Sequence, residues 1–268
     1  MRLANCAGDI IVLKCTRRHK CTLYSYHSHT PVGRPLDTTV WEVLSDRLGF
    51  GFFVIAQVEM VSNLKELAVQ LFDAGAVRLG DIEAKVGRRT PIYFDLRIVV
   101  SHPKIMMAIA KELQVLASDI DHDILCGVPY AALPFAAVMS VNTNTPMIMK
   151  RKETKLYATK KILEGVYKPK QKCLVIEDVV TSGGSLLETI NTLRNELLSV
   201  THAVVVLDRE QGGANVLKAN GVHVKEIFTM TELIKILRDA GRITHETFEI
   251  VSDHIRECQF GMTDNFEQ

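Results

Sequence analysis

The 268-residue sequence is short of net charge, of long apolar runs and of closely paired cysteines. Its 32 Lys and Arg balance 31 Asp and Glu, leaving a formal charge of +1. There is no global basic field to argue for nucleic acid and no acidic excess. The longest apolar run, Leu48 to Ala56, is broken by Gln57 and Glu59. It falls well short of the roughly 20 residues a membrane span needs, so no transmembrane helix is expected. Of the six cysteines, only Cys6, Cys15 and Cys21 cluster, and their spacing does not fit a zinc site. The pattern reads as reduced thiols in a cytoplasmic protein. No internal repeat or low-complexity tract is present. What is abundant is hydrophobic residues, 47% of the chain, enough for one large core or a domain with an appendage.

Residues 1–60 differ from the rest. They hold three cysteines, the only tryptophan (Trp41), and His19, His27 and His29, with little periodicity. Residues 1–40 carry six basic residues against two acids, a composition that also suits a targeting leader. The expectation is an irregular or disordered extension over 1–60, a domain over 61–258 and a flexible tail over 259–268. Met60 is a candidate second start.

From Asn63 the pattern is strong. Asn63 and Glu66 form a capping box, Leu64, Leu67, Ala68 and Leu71 share a helical face, and Gly75 ends it. Strands are expected over 91–100, 123–128, 146–150, 173–177, 203–208 and 222–228. Helices are expected from Pro103, over 132–141, and over 184–198, 213–220, 231–240 and 245–257. Continuous apolar strands alternating with helices argue an α/β fold, a mostly parallel twisted sheet flanked by helices.

The stretch LVIEDVVTSGGS (174–185) carries the chemistry. In open parallel sheets, ligands bind at the carboxyl ends of strands. Glu177 and Asp178 fall at such an end. Thr181, Ser182, Gly183, Gly184 and Ser185 fall where the next helix begins. Free backbone N–H groups and the positive end of the helix dipole suit a phosphate there. The two acids offer acceptors for sugar hydroxyls, so the pair of features fits a phosphorylated ribose. A plain surface turn would not explain two adjacent acids behind four apolar residues, since buried carboxylates without partners are costly. The pattern is not a P-loop, because G-x-x-x-x-G-K is absent.

This stretch resembles the phosphoribosyl pyrophosphate (PRPP) motif of type I phosphoribosyltransferases. LGDIEAKVGRRTPIYFDLR (79–97), CGVPYAALPFA (126–136), KRKETKLYATKKILEG (150–165) and LDREQGG (207–213) resemble orotate phosphoribosyltransferases, including the amino-terminal half of animal bifunctional UMP synthases. The resemblance covers residues 62 to 257. It implies Mg²⁺-dependent transfer of phosphoribose from PRPP to N1 of orotate, in a homodimer, with no nucleic-acid or membrane partner. By resemblance, Lys85 lies near base and pyrophosphate, Tyr93 and Phe94 flank the orotate ring, and Tyr130 sits in the pyrophosphate loop. Arg151, Lys152 and Lys155 belong to a mobile catalytic loop. Glu177 and Asp178 bind the ribose, residues 181–185 the 5′-phosphate, and Arg209 the orotate carboxylate. The Mg²⁺ is held mainly by PRPP, near Asp178.

The plainer readings are solvated faces for Lys160, Lys161, Lys168, Lys170 and Lys172, a core role for one of Tyr93 and Phe94, and small buried hydrophobes for Cys126 and Cys173. Arg209 has ion-pair candidates in Asp208 and Glu210. A purine-base enzyme would have no use for an arginine aimed at a carboxylate. The other alternative is a weak PRPP-binding relative, or a fragment of a bifunctional enzyme whose decarboxylase half, with its Asp-x-Lys-x-x-Asp site, is not found in these residues. Where the family has an acid, then His or Tyr, then Gly, this chain has Leu156, Tyr157 and Ala158. Leu removes a hydrogen-bonding group and Ala restricts the backbone. Turnover should be slow with PRPP binding kept, and a Leu156→Asp, Ala158→Gly variant should turn over faster in steady-state kinetics; no gain in rate would refute this.

Overall fold

The computed structural model describes residues 2–4, 10–15, 21–26, 64–83, 89–152 and 162–260. The chain divides into two units, Met1–Val61 and Ser62–Gln268. In the first, strands β1 (Arg2–Ala4), β2 (Ile10–Cys15) and β3 (Cys21–Tyr26) form an antiparallel sheet in that order. Cys15 of β2 and Cys21 of β3 are register partners. These strands fall inside the segment expected to be irregular.

The second unit begins with α1 (Leu64–Asp73), which buries Leu67, Ala68 and Leu71; Asn63 lies outside the described residues. Strands β4 (Val77–Glu83) and β5 (Arg89–Phe94) pair antiparallel as a separate two-stranded ribbon. Then come α2 (Pro103–Ala117), β6 (Ile124–Gly127), α3 (Leu133–Thr143), β7 (Met147–Lys150) and β8 (Leu163–Glu164). The chain continues through β9 (Cys173–Val180), α4 (Gly184–Asn195), β10 (His202–Asp208), α5 (Gly213–Ala219) and β11 (His223–Thr229). Helices α6 (Met230–Asp239) and α7 (His245–Glu257) complete it.

The main sheet runs β11-β10-β9-β6-β7-β8, parallel except for β8 against β7. Both faces are covered, which is why its strands lack alternation. Leu174, Ile176, Val204 and Val206 point into one core with α1, α2, α6 and α7. Cys173, Val175, Ala203 and Val205 point into the other, with Leu186, Ile190 and Leu193 of α4. Cys126 and Cys173 are both buried in this second core.

One expected strand is shorter than its composition suggests. The 91–100 segment leaves the extended state at Phe94, and Leu96–Ser101 forms a 3₁₀ helix. Asp95 caps it, accepting from the Arg97 N–H at 3.2 Å. Leu96 and Val99, three residues apart, are both buried, and that spacing is one 3₁₀ turn. Tertiary burial and an Asx cap override the β-propensity of the β-branched run. Strand β4 was not foreseen either. Strand β9 runs three residues past Glu177, because Val179 and Val180 pair with Leu207 and Asp208.

The turn after β9 is clamped to the turn after β10. Gly213 donates its N–H to the Thr181 carbonyl at 3.0 Å. A Cβ on Gly213 would sit 2.5 Å from that carbonyl oxygen and 2.7 Å from Val180 Cγ1. Gly213→Ala therefore forces the two turns apart. The expected cost is about 1–3 kcal/mol, as for overpacking. Thermal unfolding should show Tm falling by roughly 2–4 °C per kcal/mol; an unchanged Tm would mean the turns are not clamped here.

Candidate active site

The chain moves outward from β6 to β7 on one side and from β9 to β10 on the other. The crevice at the carboxyl ends of β6 and β9 is thus the topological switch point, where open α/β sheets bind ligands. Val128 crosses it, donating its N–H to Ile176 O at 2.9 Å.

Beyond β9 the residues 181–185 bend into α4. Gly183 is the N-cap, with φ +81, a conformation that disfavours any side chain. It is buried, and no side chain caps the helix. Thr181, Ser182 and Gly184 are half-buried and Ser185 exposed. The first-turn N–H groups therefore face the crevice mouth together with hydroxyl donors, which makes an anion cradle.

Glu177 is only 3% exposed. Its Oε1 accepts from the Asp178 N–H at 3.1 Å and its Oε2 from Ser185 Oγ at 3.3 Å. Burial, and then the neighbouring Asp178, push its pKa well above the usual carboxylate range. Glu177 thus braces the anion loop through Ser185. Asp178 is half-buried, and its charge reaches Arg97, whose own pKa is raised chiefly by Asp95.

Arg209 follows β10 directly, anchored by its N–H to Val180 O at 2.9 Å. Its Nη2 donates to Thr90 Oγ1 at 3.2 Å, across to β5. Its Nε is buried without a hydrogen-bond partner, and desolvation lowers its pKa. The flanking acids turn elsewhere. Asp208 accepts from the Glu210 N–H, and Glu210 from the Thr231 N–H at 2.6 Å. Phe94 packs on the first core, whereas the Tyr93 hydroxyl accepts from Arg97 Nη2 at 3.2 Å.

Lys152 Nζ lies 4.7 Å from the centre of the exposed Tyr130 ring. That brings the start of the basic segment to the loop after β6. Arg151 instead pairs with Glu164 of β8, and its N–H donates to Ile162 O at 2.9 Å. Lys150 is buried and reaches Glu188 at 2.5 Å. Lys168, Lys170 and Lys172 are exposed, the last paired with Asp121. Lys85, Lys155, Leu156, Ala158, Lys160 and Lys161 lie outside the described residues.

The structure therefore gathers Glu177, Asp178 and residues 181–185 on one side, and Tyr93 and Arg209 around the ribbon on the other. Thr90, Arg97 and Gly213 were not singled out in the sequence. Thr90 stands in LGDIEAKVGRRTPIYFDLR and Gly213 in LDREQGG, so both had a signal nearby. Among the described residues no three His, Cys, Asp or Glu side chains gather as a metal site. A lone half-buried carboxylate, Asp178, fits an ion that brings its other ligands with it.

Residues 97–233 match the phosphoribosyl transferase domain family. The chain is 41% identical over 199 residues to uridine 5′-monophosphate synthase of Bos taurus, covering 74% of this chain and 42% of that protein. It is 39% identical over 206 residues to orotate phosphoribosyltransferase of Caenorhabditis elegans, covering 75% of this chain and 91% of that one. Among solved structures, UMP synthase of Leishmania donovani superposes with TM-score 0.68 at 33% identity, covering 73% of this chain and 42% of that one. Orotate phosphoribosyltransferase of Aeropyrum pernix gives 0.58 at 29%, covering 66% and 99%. The chain spans less than half of the bifunctional relatives and nearly all of the single-function ones. With its anion loop, acid pair and switch-point crevice in the same chain segment, this protein belongs to the phosphoribosyltransferase family, in its orotate phosphoribosyltransferase branch.

Proposed function

We propose that the chain transfers phosphoribose from PRPP to orotate, giving orotidine 5′-monophosphate and pyrophosphate in UMP synthesis. The observation that carries this reading is the gathering, at the carboxyl ends of β9 and β10, of an anion cradle, a carboxylate pair and a half-buried arginine whose Nε is buried without a partner. The C1–O bond to pyrophosphate breaks and the electron pair leaves with it. N1 of orotate forms the new bond to C1 and gives up its proton.

The residues divide the work. Backbone N–H groups of the 181–185 loop hold the 5′-phosphate, and Asp178 with Glu177 orients the ribose hydroxyls. The guanidinium of Arg209 suits the orotate carboxylate, because its fork binds two oxygens at once. Tyr93 and Phe94 border the ring. Lys152 and Tyr130 lie on the pyrophosphate side, with Lys85 and Lys155 assigned there by resemblance. Arg151 would have to leave Glu164 to take part. Mg²⁺ carried on PRPP beside Asp178 would neutralise charge developing on the leaving group. A closing loop excludes water that would hydrolyse PRPP. A homodimer in which this loop serves the neighbouring site, and a cytoplasmic location, belong to the same proposal. Among the described residues no helix is long and apolar enough to cross a membrane.

The test is loss of orotate absorbance with Mg²⁺–PRPP, for the full chain and for one starting at Met60. Orotate consumption is expected. Arg209→Lys should raise the orotate KM by roughly 10- to 100-fold, the worth of a charge-assisted hydrogen bond. PRPP binding without consumption would leave a binding protein and sink the proposal.

The buried Glu177 yields a stability prediction. Its folded pKa is raised above the ordinary 4.5. Below that value the side chain is neutral in both states. As pH rises through and above it, ionisation favours the unfolded chain and stability falls. Glu177→Gln escapes this loss. Its Tm should exceed the parent's at pH 8, with the gap closing towards pH 4, while PRPP affinity drops. A gap that widens on acidification would contradict the burial argument.

A further inference from the structure

The segment immediately after α7 touches every residue immediately after Arg209. Gln259 Nε2 donates to Ile255 O at 2.6 Å and to Glu210 O at 2.9 Å. Phe260 donates its N–H to Gln211 O at 2.9 Å. The Phe260 carbonyl oxygen lies only 2.4 Å from where a Cβ on Gly212 would stand. Cys258 Sγ is 3.5 Å from His254 Nδ1, and burial followed by the charge of Arg209 lowers the His254 pKa.

The backbone being held is not relaxed. Glu210 has φ +56 and Gly212 φ +97, and the intervening Gln211 is 3% exposed. A non-glycine residue in the left-handed region persists only where its surroundings over-determine it. Two hydrogen bonds from residues 259 and 260, and the close approach to Gly212, supply that constraint. Among the described residues the Arg209 side chain hydrogen-bonds to Thr90 and keeps an unpartnered Nε. Its aim therefore depends on the backbone that follows it.

We infer that residues 258–260 are a positioning strap for Arg209, fixing the 209–212 backbone so that the guanidinium meets the carboxylate of the base. The inference rests on the orotate reading of the site. The strap's hydrogen bonds fall on Glu210 and Gln211, on the base side of the Gly213 link to the anion loop. Loss of the strap should move recognition of the base and leave the phosphoribosyl side alone.

The experiment uses the full chain with Gln259→Ala and, separately, Phe260→Pro, which deletes the N–H donor. Each should raise the orotate KM by about tenfold, the size of one lost hydrogen bond. The PRPP KM should stay within about twofold of the parent, below the worth of a hydrogen bond. Hydrogen exchange of the 209–213 amides should quicken in both variants, a readout independent of turnover. Phe260→Leu, which keeps the donor, should restore slow exchange. Unchanged exchange and unchanged orotate KM in an active parent overturn the strap while leaving the proposed activity standing. Equal rises in both KM values would mark a general structural role and also overturn it. A parent that fails to bind orotate overturns the proposed function, and the strap's role in base recognition with it.

Discussion

The parallel register of β9 against β10 is the constraint on which the site depends. Val205 pairs with Glu177, and Asp208 with Val180. The Arg209 N–H then lands on the Val180 carbonyl. A slip of one residue would turn Glu177 from its buried seat to the other face and carry Arg209 out of reach of Thr90. Two apolar cores enforce the register, because alternate residues of both strands are claimed by opposite faces. The chemistry at the strand ends thus inherits its geometry from valines and alanines that never meet a ligand.

That geometry carries local costs. Glu177 is buried with a pKa pushed upward, Arg209 keeps an unpaired Nε, and Glu210 holds a left-handed backbone. None of these would survive selection for stability alone. They sit together at the carboxyl edge of β9 and β10, while the amino edge shows ordinary solvent-exposed pairs such as Lys172 with Asp121 and Lys225 with Asp119. The asymmetry is itself a functional signal, because strain gathers where a ligand is expected to complete the missing partners.

The mostly parallel sheet and the helices of the second unit were largely legible, because burial on both faces writes long apolar runs into the sequence. So was the anion loop, because a phosphate cradle needs small residues at consecutive positions. The proposed base side was harder to read. Its members are spread over Thr90, Tyr93, Arg97 and Arg209, and only folding brings them close. The 3₁₀ turn at Leu96 was hidden because the composition of 91–100 favours a strand, while one aspartate and two buried residues decide otherwise. Strands β1–β3 were hidden as well, in a segment whose composition shows no clear period.

In the proposed function two recognition strategies meet at the carboxyl ends of the strands. The phosphoribosyl side is read mainly by main-chain N–H groups, and these do not change when side chains do. Its sensitivity is concentrated at glycines such as Gly183 and Gly213, where a Cβ would meet neighbouring backbone. In the same proposal the base side is read by side chains, and the strap bonds the backbone that follows Arg209. Substitution there can alter which base is accepted without dismantling the cradle. Arg209, the proposed contact to the base, is the last residue before the backbone turns left-handed, so its aim is a property of the turn as much as of the arginine.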